Sequence, residues 1–372
     1  MIYLDNAATT FPKPKCVREA LIYFFDHLGA NAGRSGHKMA IEAGRVIFET
    51  RVLVANLLNI MNPLNIIFTS NATHSLNLAI KGVLKKDDVV VTSPYEHNSV
   101  MRVLNSLDVK IKILKIDKFG HIFNFKNILK DAKLVVLSHA NNVNGMILPI
   151  GEIFEFAKKS GAITVLDAAQ SVGLLDTDMK KLNIDLFCAS GHKNLFGIQG
   201  VGILGINDNF DIVNLKPIFE GGTGSKSEAQ TQPNFMPDKF ESGTQNAHGI
   251  ATLRAGIEFI NKTKRENILR HEKELKSFLI NEILKLDEFK ILKTPPKYDS
   301  TGVLSIISKR LNPSELSNLL NEKGILTRAS LHCNPSTHKF YGTFPKGSLR
   351  ISPGFFTKFD DLNYLIDILK KV

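Results

Sequence analysis

The chain has 372 residues, of which 43% are hydrophobic and 22% charged, and it carries a formal net charge of +11. It can bury a core for about two domains, which excludes a disordered tail and a disulfide-stapled miniprotein. The three cysteines, Cys16, Cys188 and Cys333, are odd in number and widely spaced without a C-x-x-C pair, which argues against a disulfide framework or a structural zinc site.

In chain order, the opening Met1-Ile2-Tyr3-Leu4-Asp5 has neither a basic segment nor an apolar run, so no signal peptide is expected. No stretch approaches the about 18 apolar residues of a membrane span, and the expectation is a soluble, reduced, cytoplasmic protein. Short β-branched runs then alternate with helical patterns. Ile66-Ile67-Phe68-Thr69 precedes a helix over Thr73 to Leu84, and Val89-Val90-Val91-Thr92 precedes one from about Asn98 to Leu107. Leu134-Val135-Val136-Leu137 precedes the helical pattern Ile150 to Lys159, which Gly161 stops, and Ile163-Thr164-Val165-Leu166 follows as a strand. Strands apolar on both faces and alternating with helices predict an α/β domain built on a mostly parallel sheet. After about residue 250 the rhythm changes to a smaller α+β unit. A long helical region spans about Gly249 to Leu286, and strands are predicted at Phe289 to Leu292 and Val303 to Ile307. Asn312-Pro313-Ser314-Glu315 starts a helix, Leu349-Arg350-Ile351 is a strand, and a last helix is opened by Thr357 and Asp360. The lysine excess is densest at Lys262 to Lys285, where Glu266, Glu272, Glu274 and Glu282 interleave; this reads as a solvated helix face rather than a nucleic-acid surface.

Two segments place polar groups at the ends of apolar strands: Asp167 to Gln170 after Thr164-Val165-Leu166, and Ser190-Gly191-His192-Lys193 after Phe187-Cys188-Ala189. Ligands of parallel sheets sit at that edge. Taken singly, Asp167 is as readily a helix N-cap and Lys193 a surface lysine. Together, a lysine amine that can form a Schiff base with an aldehyde and a carboxylate that can keep a pyridine nitrogen protonated suit pyridoxal phosphate. Thr69 to Ser75 offers a helix N-terminus for its phosphate, and His97 follows a strand where a ring could cover the pyridine face.

With these residues in place, the sequence resembles the class V, fold-type I pyridoxal-phosphate enzymes, and among them the cysteine desulfurase and selenocysteine lyase family. The likeness runs from Tyr3-Leu4-Asp5-Asn6-Ala7-Ala8-Thr9-Thr10 to Gly347-Ser348-Leu349-Arg350-Ile351-Ser352. It implies a large cofactor-binding domain over 15–250 and a small α+β domain formed by 1–14 and 251–372. It also implies roles by position. Lys193 would carry the cofactor and move the α-proton, Asp167 would pair with the pyridinium nitrogen, Gln170 would bond the phenolic oxygen and His97 would stack on the ring. Ala72, Thr73, Ser190 and His192 would hold the phosphate, joined by Thr244 from across the interface of a homodimer with shared sites. Asn142 and Arg350 would bind the substrate carboxylate, with Arg328 as a helper. Arg34 and His37 lie in a Gly-rich stretch near the family's site entrance.

Cys333 selects the reaction. It sits in Thr327-Arg328-Ala329-Ser330-Leu331-His332-Cys333-Asn334, a polar, loop-like setting near cations that favour a thiolate, whereas Cys16 and Cys188 are expected to pack as small hydrophobes. The segment resembles the Arg-x-Gly-x-His-Cys pattern of group II desulfurases, with Ser330 in place of the glycine and Asn334 where alanine is usual. The implied activity converts L-cysteine to L-alanine, leaving a persulfide on Cys333 for a sulfur-acceptor protein of iron–sulfur cluster or thio-cofactor assembly. A selenocysteine lyase uses the same scaffold, and a class V aminotransferase or another lyase would not need Cys333. The glycines of Gly197 to Gly202 lead into a strand rather than a helix and do not make a dinucleotide site. Gly221 to Ser227 lacks the Gly-Lys pair of a phosphate loop and is expected to form a loop near the dimer interface.

Overall fold

Six mostly apolar runs and one alternating, exposed edge strand form the central sheet: Ile66–Thr69 (β1), Val89–Thr92 (β2), the edge strand Lys110–Ile113 (β3), Leu134–Ser138 (β4), Ile163–Asp167 (β5), Leu186–Ser190 (β6) and Gly202–Ile206 (β7). The computed structural model describes residues 1–33, 35–117 and 119–372. The strand order is β1-β7-β6-β5-β4-β2-β3, with β7 antiparallel to both neighbours and the other pairs parallel. Because β7 reverses direction between β1 and β6, the C-terminal ends of the remaining six strands all point to one edge. Side chains alternate between two buried faces: Val135, Leu137 and Leu166 pack into one hydrophobic cluster, Leu134, Val136 and Val165 into another. Double-sided burial is what the unbroken apolar runs encode. The α/β expectation holds.

The helices Ala72–Val83 (α3) and Asn98–Asn105 (α4) fall within a residue or two of the predicted spans, and the helix Ile150–Lys159 matches its span. Gly161, at φ +79°, ends the latter in the left-handed conformation a helix stop needs. Two helices outside the expected set, Lys15–His27 (α1) and Lys38–Leu58 (α2), cover one face of the sheet; their signal was present as Val17 and Phe24, and Ala43, Ile47, Val54 and Leu58, at helical spacing.

The long helical region is two helices, Ala247–Thr263 and Arg265–Ile283, joined at Lys264 with φ +68°. Each half serves a different core. Ile250, Leu253, Ile257 and Ile260 join the cluster of α1 and α2, whereas Leu275, Leu279 and Ile283 pack under the second sheet. A straight helix could not face both, and no Pro or Gly marks the turn. Nor is the charged stretch a uniformly solvated face: Glu272 and Lys276 are 7% and 6% exposed. Lys276 Nζ donates to Asn144 O (2.9 Å), Ser300 Oγ (2.7 Å) and Thr301 O (3.1 Å). Burial thus turns two of the interleaved charges into internal groups, pushing Glu272 up to about 8 and Lys276 down to about 7.

The second sheet is antiparallel, in the order Phe289–Ile291, Leu304–Ser308, Ser348–Ile351, Arg328–Ser330. The helix Pro313–Glu322 carries the capping box read from the sequence, with Asn312 accepting from Glu315 N and Glu315 accepting from Asn312 N. The last helix, Phe359–Leu369, is opened by Lys358 and Asp361 rather than by Thr357, whose hydroxyl accepts from Gly354 N instead. Ile2–Tyr3 pairs in parallel with Ile325–Leu326, joining the first residues to the C-terminal sheet. Among the described residues, no helix is long and apolar enough to cross a membrane.

Candidate active site

A pocket lies at the edge where the six strands end. It is lined by Asn71, Ala72 and Thr73 after β1, His97 after β2, Ser138 and Asn142 around the end of β4, Asp167 and Gln170 at the end of β5, and Ser190, His192 and Lys193 at the end of β6. Nine residues singled out in the sequence therefore converge from five strand ends. Register places them: Asp167 stands beside Ser138 on one side and Cys188 on the other, and Thr69 and Ser190 both face Gly202. Gly202 is required there, because a Cβ would collide with the backbone of Asn71 at the turn into α3.

At that turn Asn71 caps α3 by accepting from His74 N (2.9 Å). The N–H groups of Ala72 and Thr73 are left without acceptors among the described residues, at the positive end of a helix. Ser190 Oγ is buried with no hydrogen-bond partner. His192 Nδ1 meets Thr9 Oγ1 at 3.0 Å, so its other ring nitrogen stays free, and burial holds the ring neutral with a pKa lowered to about 4. These unspent donors form an anion cradle.

Asp167 is 5% exposed and accepts from Ala169 N (3.0 Å) through one oxygen; its other oxygen has no partner among the described residues. Burial raises its pKa, opposed by that N–H and by Lys193. The Lys193 amine makes no hydrogen bond among the described residues. Burial pushes it down to about 8, against the pull of Asp167 and with help from the Arg350 and Arg328 cations. His97 caps α4, accepting from Ser99 N (3.1 Å) at Nδ1, which leaves the proton on Nε2; burial first, then the nearby cations, lower its pKa to about 4. Gln170 donates to Ala7 O (2.8 Å), keeping one N–H for the pocket.

The N-terminal segment backs the lysine turn. Thr10 Oγ1 donates to Lys193 O (2.7 Å) and Lys13 Nζ to His192 O (2.7 Å). Nothing local in the motif Ala7 to Thr10 points to residues 183 positions away. Asp5 and Ser99 were also missed: Asp5 is ion-paired with Arg350, and Ser99 orients His97.

Arg350 is 1% exposed. One Nη engages Asp5, the other donates to Asn142 O (3.1 Å), and Nε is buried and unpaired. Asn142 lines the pocket, but its amide donates to His332 O (2.7 Å) and accepts from Asn334 Nδ2 (2.9 Å). Cys333 is exposed, on the loop between the strand Arg328–Ser330 and the helix Pro335–Phe340, and it lines a cavity with Thr73, His97 and Arg102 beside the pocket. Arg328 Nη2 lies 3.4 Å from Cys333 Sγ, and Asn98 N donates to Cys333 O (2.8 Å). The other cysteines behave as packing groups: Cys188 is buried, Cys16 half-buried, and burial raises both thiols.

Thr244 and His37 do not line the pocket within this chain. Thr244 is exposed in a separate depression with Phe48, Arg51 and Asp238. His37 caps α2, accepting from Ala40 N (3.3 Å), and Arg34 lies outside the described residues.

A family profile, aminotransferase class V, matches residues 2–365. The chain is 33% identical to a probable cysteine desulfurase of Pyrococcus abyssi over all of its own length and 94% of that protein. It is 34% identical to a probable cysteine desulfurase of Borreliella burgdorferi, again over its whole length and 92% of the relative. Among solved structures it superposes on the apo cysteine desulfurase of Thermococcus onnurineus with a TM-score of 0.92 and 30% identity, covering 100% of this chain and 94% of the other.

Proposed function

Because the chain belongs to the class V aminotransferase family, we propose that it is a pyridoxal-phosphate-dependent cysteine desulfurase with Cys333 as the sulfur-accepting nucleophile. One observation carries the choice of reaction: the exposed thiol of the chain stands in a cavity shared with His97 and Thr73, against the pocket that holds Lys193.

The pocket fits the cofactor. The free N–H groups of Ala72 and Thr73, the unpaired Ser190 hydroxyl and the open nitrogen of His192 suit its phosphate. The unshared oxygen of Asp167 would hold the proton on the ring nitrogen, a neutral His97 would lie on the ring face, and Gln170 would meet the phenolic oxygen. Lys193, with its depressed pKa and unbonded amine, would carry the cofactor covalently. When bound, pyridoxal phosphate supplies a sink for the electron pair released at the substrate Cα. Lys193 Nζ takes the Cα proton and returns one later. Arg350 binds the substrate carboxylate with donors now shared with Asp5 and Asn142, and Arg328 helps by holding positive charge beside the thiol.

The Cys333 thiolate attacks the substrate sulfur: an S–S bond forms, the Cβ–S bond breaks, and L-cysteine plus the enzyme thiol becomes L-alanine plus a Cys333 persulfide. An acceptor protein then takes the sulfur. A homodimer, in which Thr244 of each protomer completes the other's phosphate cradle, accounts for an exposed Thr244 remote from its own pocket.

Alanine release from purified, cofactor-loaded protein tests the reading, with wild type beside Cys333→Ser on L-cysteine and L-selenocysteine in turn. The expected result is loss of release from cysteine with much of that from selenocysteine retained, since the weaker C–Se bond needs no thiol nucleophile. A variant as active as wild type on cysteine sinks the role of Cys333 and brings a class V aminotransferase or another lyase to the front.

A further inference from the structure

The loop that carries Cys333 has few means of holding its shape. Its backbone is left-handed at Ser330 (φ +89°), His332 (φ +51°) and Cys333 (φ +56°), conformations that non-glycine residues adopt at a cost. The loop is nonetheless fastened: His332 Nε2 meets Ser348 O and Oγ (both 3.1 Å), Asn98 N donates to Cys333 O (2.8 Å), and one buried side chain ties the loop to the pocket wall. Asn334, 0% exposed, donates through Nδ2 to Tyr95 O (2.8 Å) and to Asn142 Oδ1 (2.9 Å), and accepts from Thr337 N (3.1 Å) at the start of the helix Pro335–Phe340. Both of its N–H donors and its amide oxygen are engaged, as burial of an amide requires. Asn142, fixed by that bond, turns its own Nδ2 to the backbone oxygen of His332 (2.7 Å), the residue before the nucleophile, while its own backbone carbonyl receives Arg350 Nη1 (3.1 Å).

We propose that Asn334 is a positioning residue: by orienting the Asn142 amide it ties the Cys333 loop to the Arg350 corner, so the thiol and the substrate carboxylate site are held as one hydrogen-bonded unit. The inference rests on the desulfurase reading for its catalytic meaning, but the fastening itself is a property of the chain. It also assigns Asn142 a first duty to the loop rather than to the substrate, because both ends of its amide are already engaged.

The test uses holoenzyme carrying Asn334→Ala and, separately, Asn334→Ser, which keeps a hydroxyl acceptor for the Thr337 N–H. Two quantities are read: iodoacetamide alkylation of Cys333 by peptide mass without substrate, and kcat and KM for alanine release from cysteine and selenocysteine. Loss of buried hydrogen bonds at this position is expected to speed alkylation and to lower kcat on cysteine by about tenfold each. KM for cysteine and release from selenocysteine are expected to stay within about twofold, since Asp5 still holds Arg350 in place and neither quantity depends on where the thiol sits. Alkylation at the wild-type rate in both variants overturns the proposal. So does an equal loss on both substrates accompanied by a lowered melting temperature, which is the mark of a merely structural residue. If wild type itself releases no alanine from cysteine, the desulfurase reading falls, and the alkylation rates alone decide the role of Asn334.

Discussion

Asp167 at the end of one central strand and Lys193 in the turn after the next are set in place by the register of strands buried on both faces, whereas Cys333 is exposed on a loop whose backbone passes through three left-handed residues. Moving the first pair would mean breaking strand pairing. Moving the thiol needs the release of a few hydrogen bonds, from the side chains of Asn142, Asn334 and His332 and from the Asn98 backbone N–H. The contrast matches the role proposed for each group. A cofactor must be held in one geometry while protons move over about 3 Å. A sulfur carrier must face the substrate and afterwards a second protein, so its loop is fastened by bonds that can be undone.

The largest effect expected from this division falls on the rigid side. Lys193→Ala should lower alanine release from both cysteine and selenocysteine by about a thousandfold or more, within the range of a lost acid–base group plus lost covalent attachment. The variant should also fail to retain cofactor after borohydride treatment, read by protein mass. Cys333→Ser, by contrast, should affect one substrate. A Lys193→Ala protein that keeps a tenth of its activity on either substrate would break the comparison, because the floor of the pocket would then not be where the proton moves.

Most of the floor was legible in the sequence. Apolar runs, each followed by a polar residue, mark strands whose ends line a site, and Asp167, Ser190, His192 and Lys193 were found that way. What was not legible depends on contacts between distant segments. Thr10 behind Lys193 and Asp5 on Arg350 are separated from their partners by 183 and 345 positions. The break at Lys264 has no Pro or Gly to announce it, and arises because the two helices pack on different cores. Burial of Glu272 and Lys276 was hidden for a related reason: an i, i+4 charge pattern is the same whether its face meets water or another domain. Likewise, the departure at Asn334 could be seen in the sequence, but its bond to Asn142 could not.

A second, smaller effect probes whether the two regions feel each other. In its proposed role the Lys193 amine would have to be unprotonated to capture the cofactor aldehyde, and its pKa is lowered to about 8, chiefly by burial. Capture of pyridoxal phosphate by the cofactor-free protein, followed by absorbance, should therefore slow about tenfold per unit of pH below 8 and level off above it. Arg328 belongs to the loop side, and its cation favours the neutral amine. Arg328→Gln should shift the inflection upward, and Asp167→Asn, which removes an opposing anion, should shift it downward. An inflection that stays near the ordinary lysine value of about 10.4 would show that the amine is not desolvated as the structure has it.

The smallest effect concerns the strain at the foot of the loop. Ser330, at φ +89°, faces Gly347, where any Cβ would collide with the Ser330 backbone, so neither partner can relax by moving toward the other. Ser330→Gly removes a conformational cost on the order of 1–3 kcal/mol and adds about 0.5–1 kcal/mol of unfolded-state freedom, so it should raise the melting temperature by roughly 1–3 °C. The alkylation rate of Cys333 should not change, because the bonds from Asn142, Asn334 and Asn98 are untouched. Faster alkylation in this variant would mean that the strained residue itself holds the thiol and that the asparagine fastening is secondary. A lower melting temperature would mean that the serine pays for its conformation with contacts the glycine cannot make.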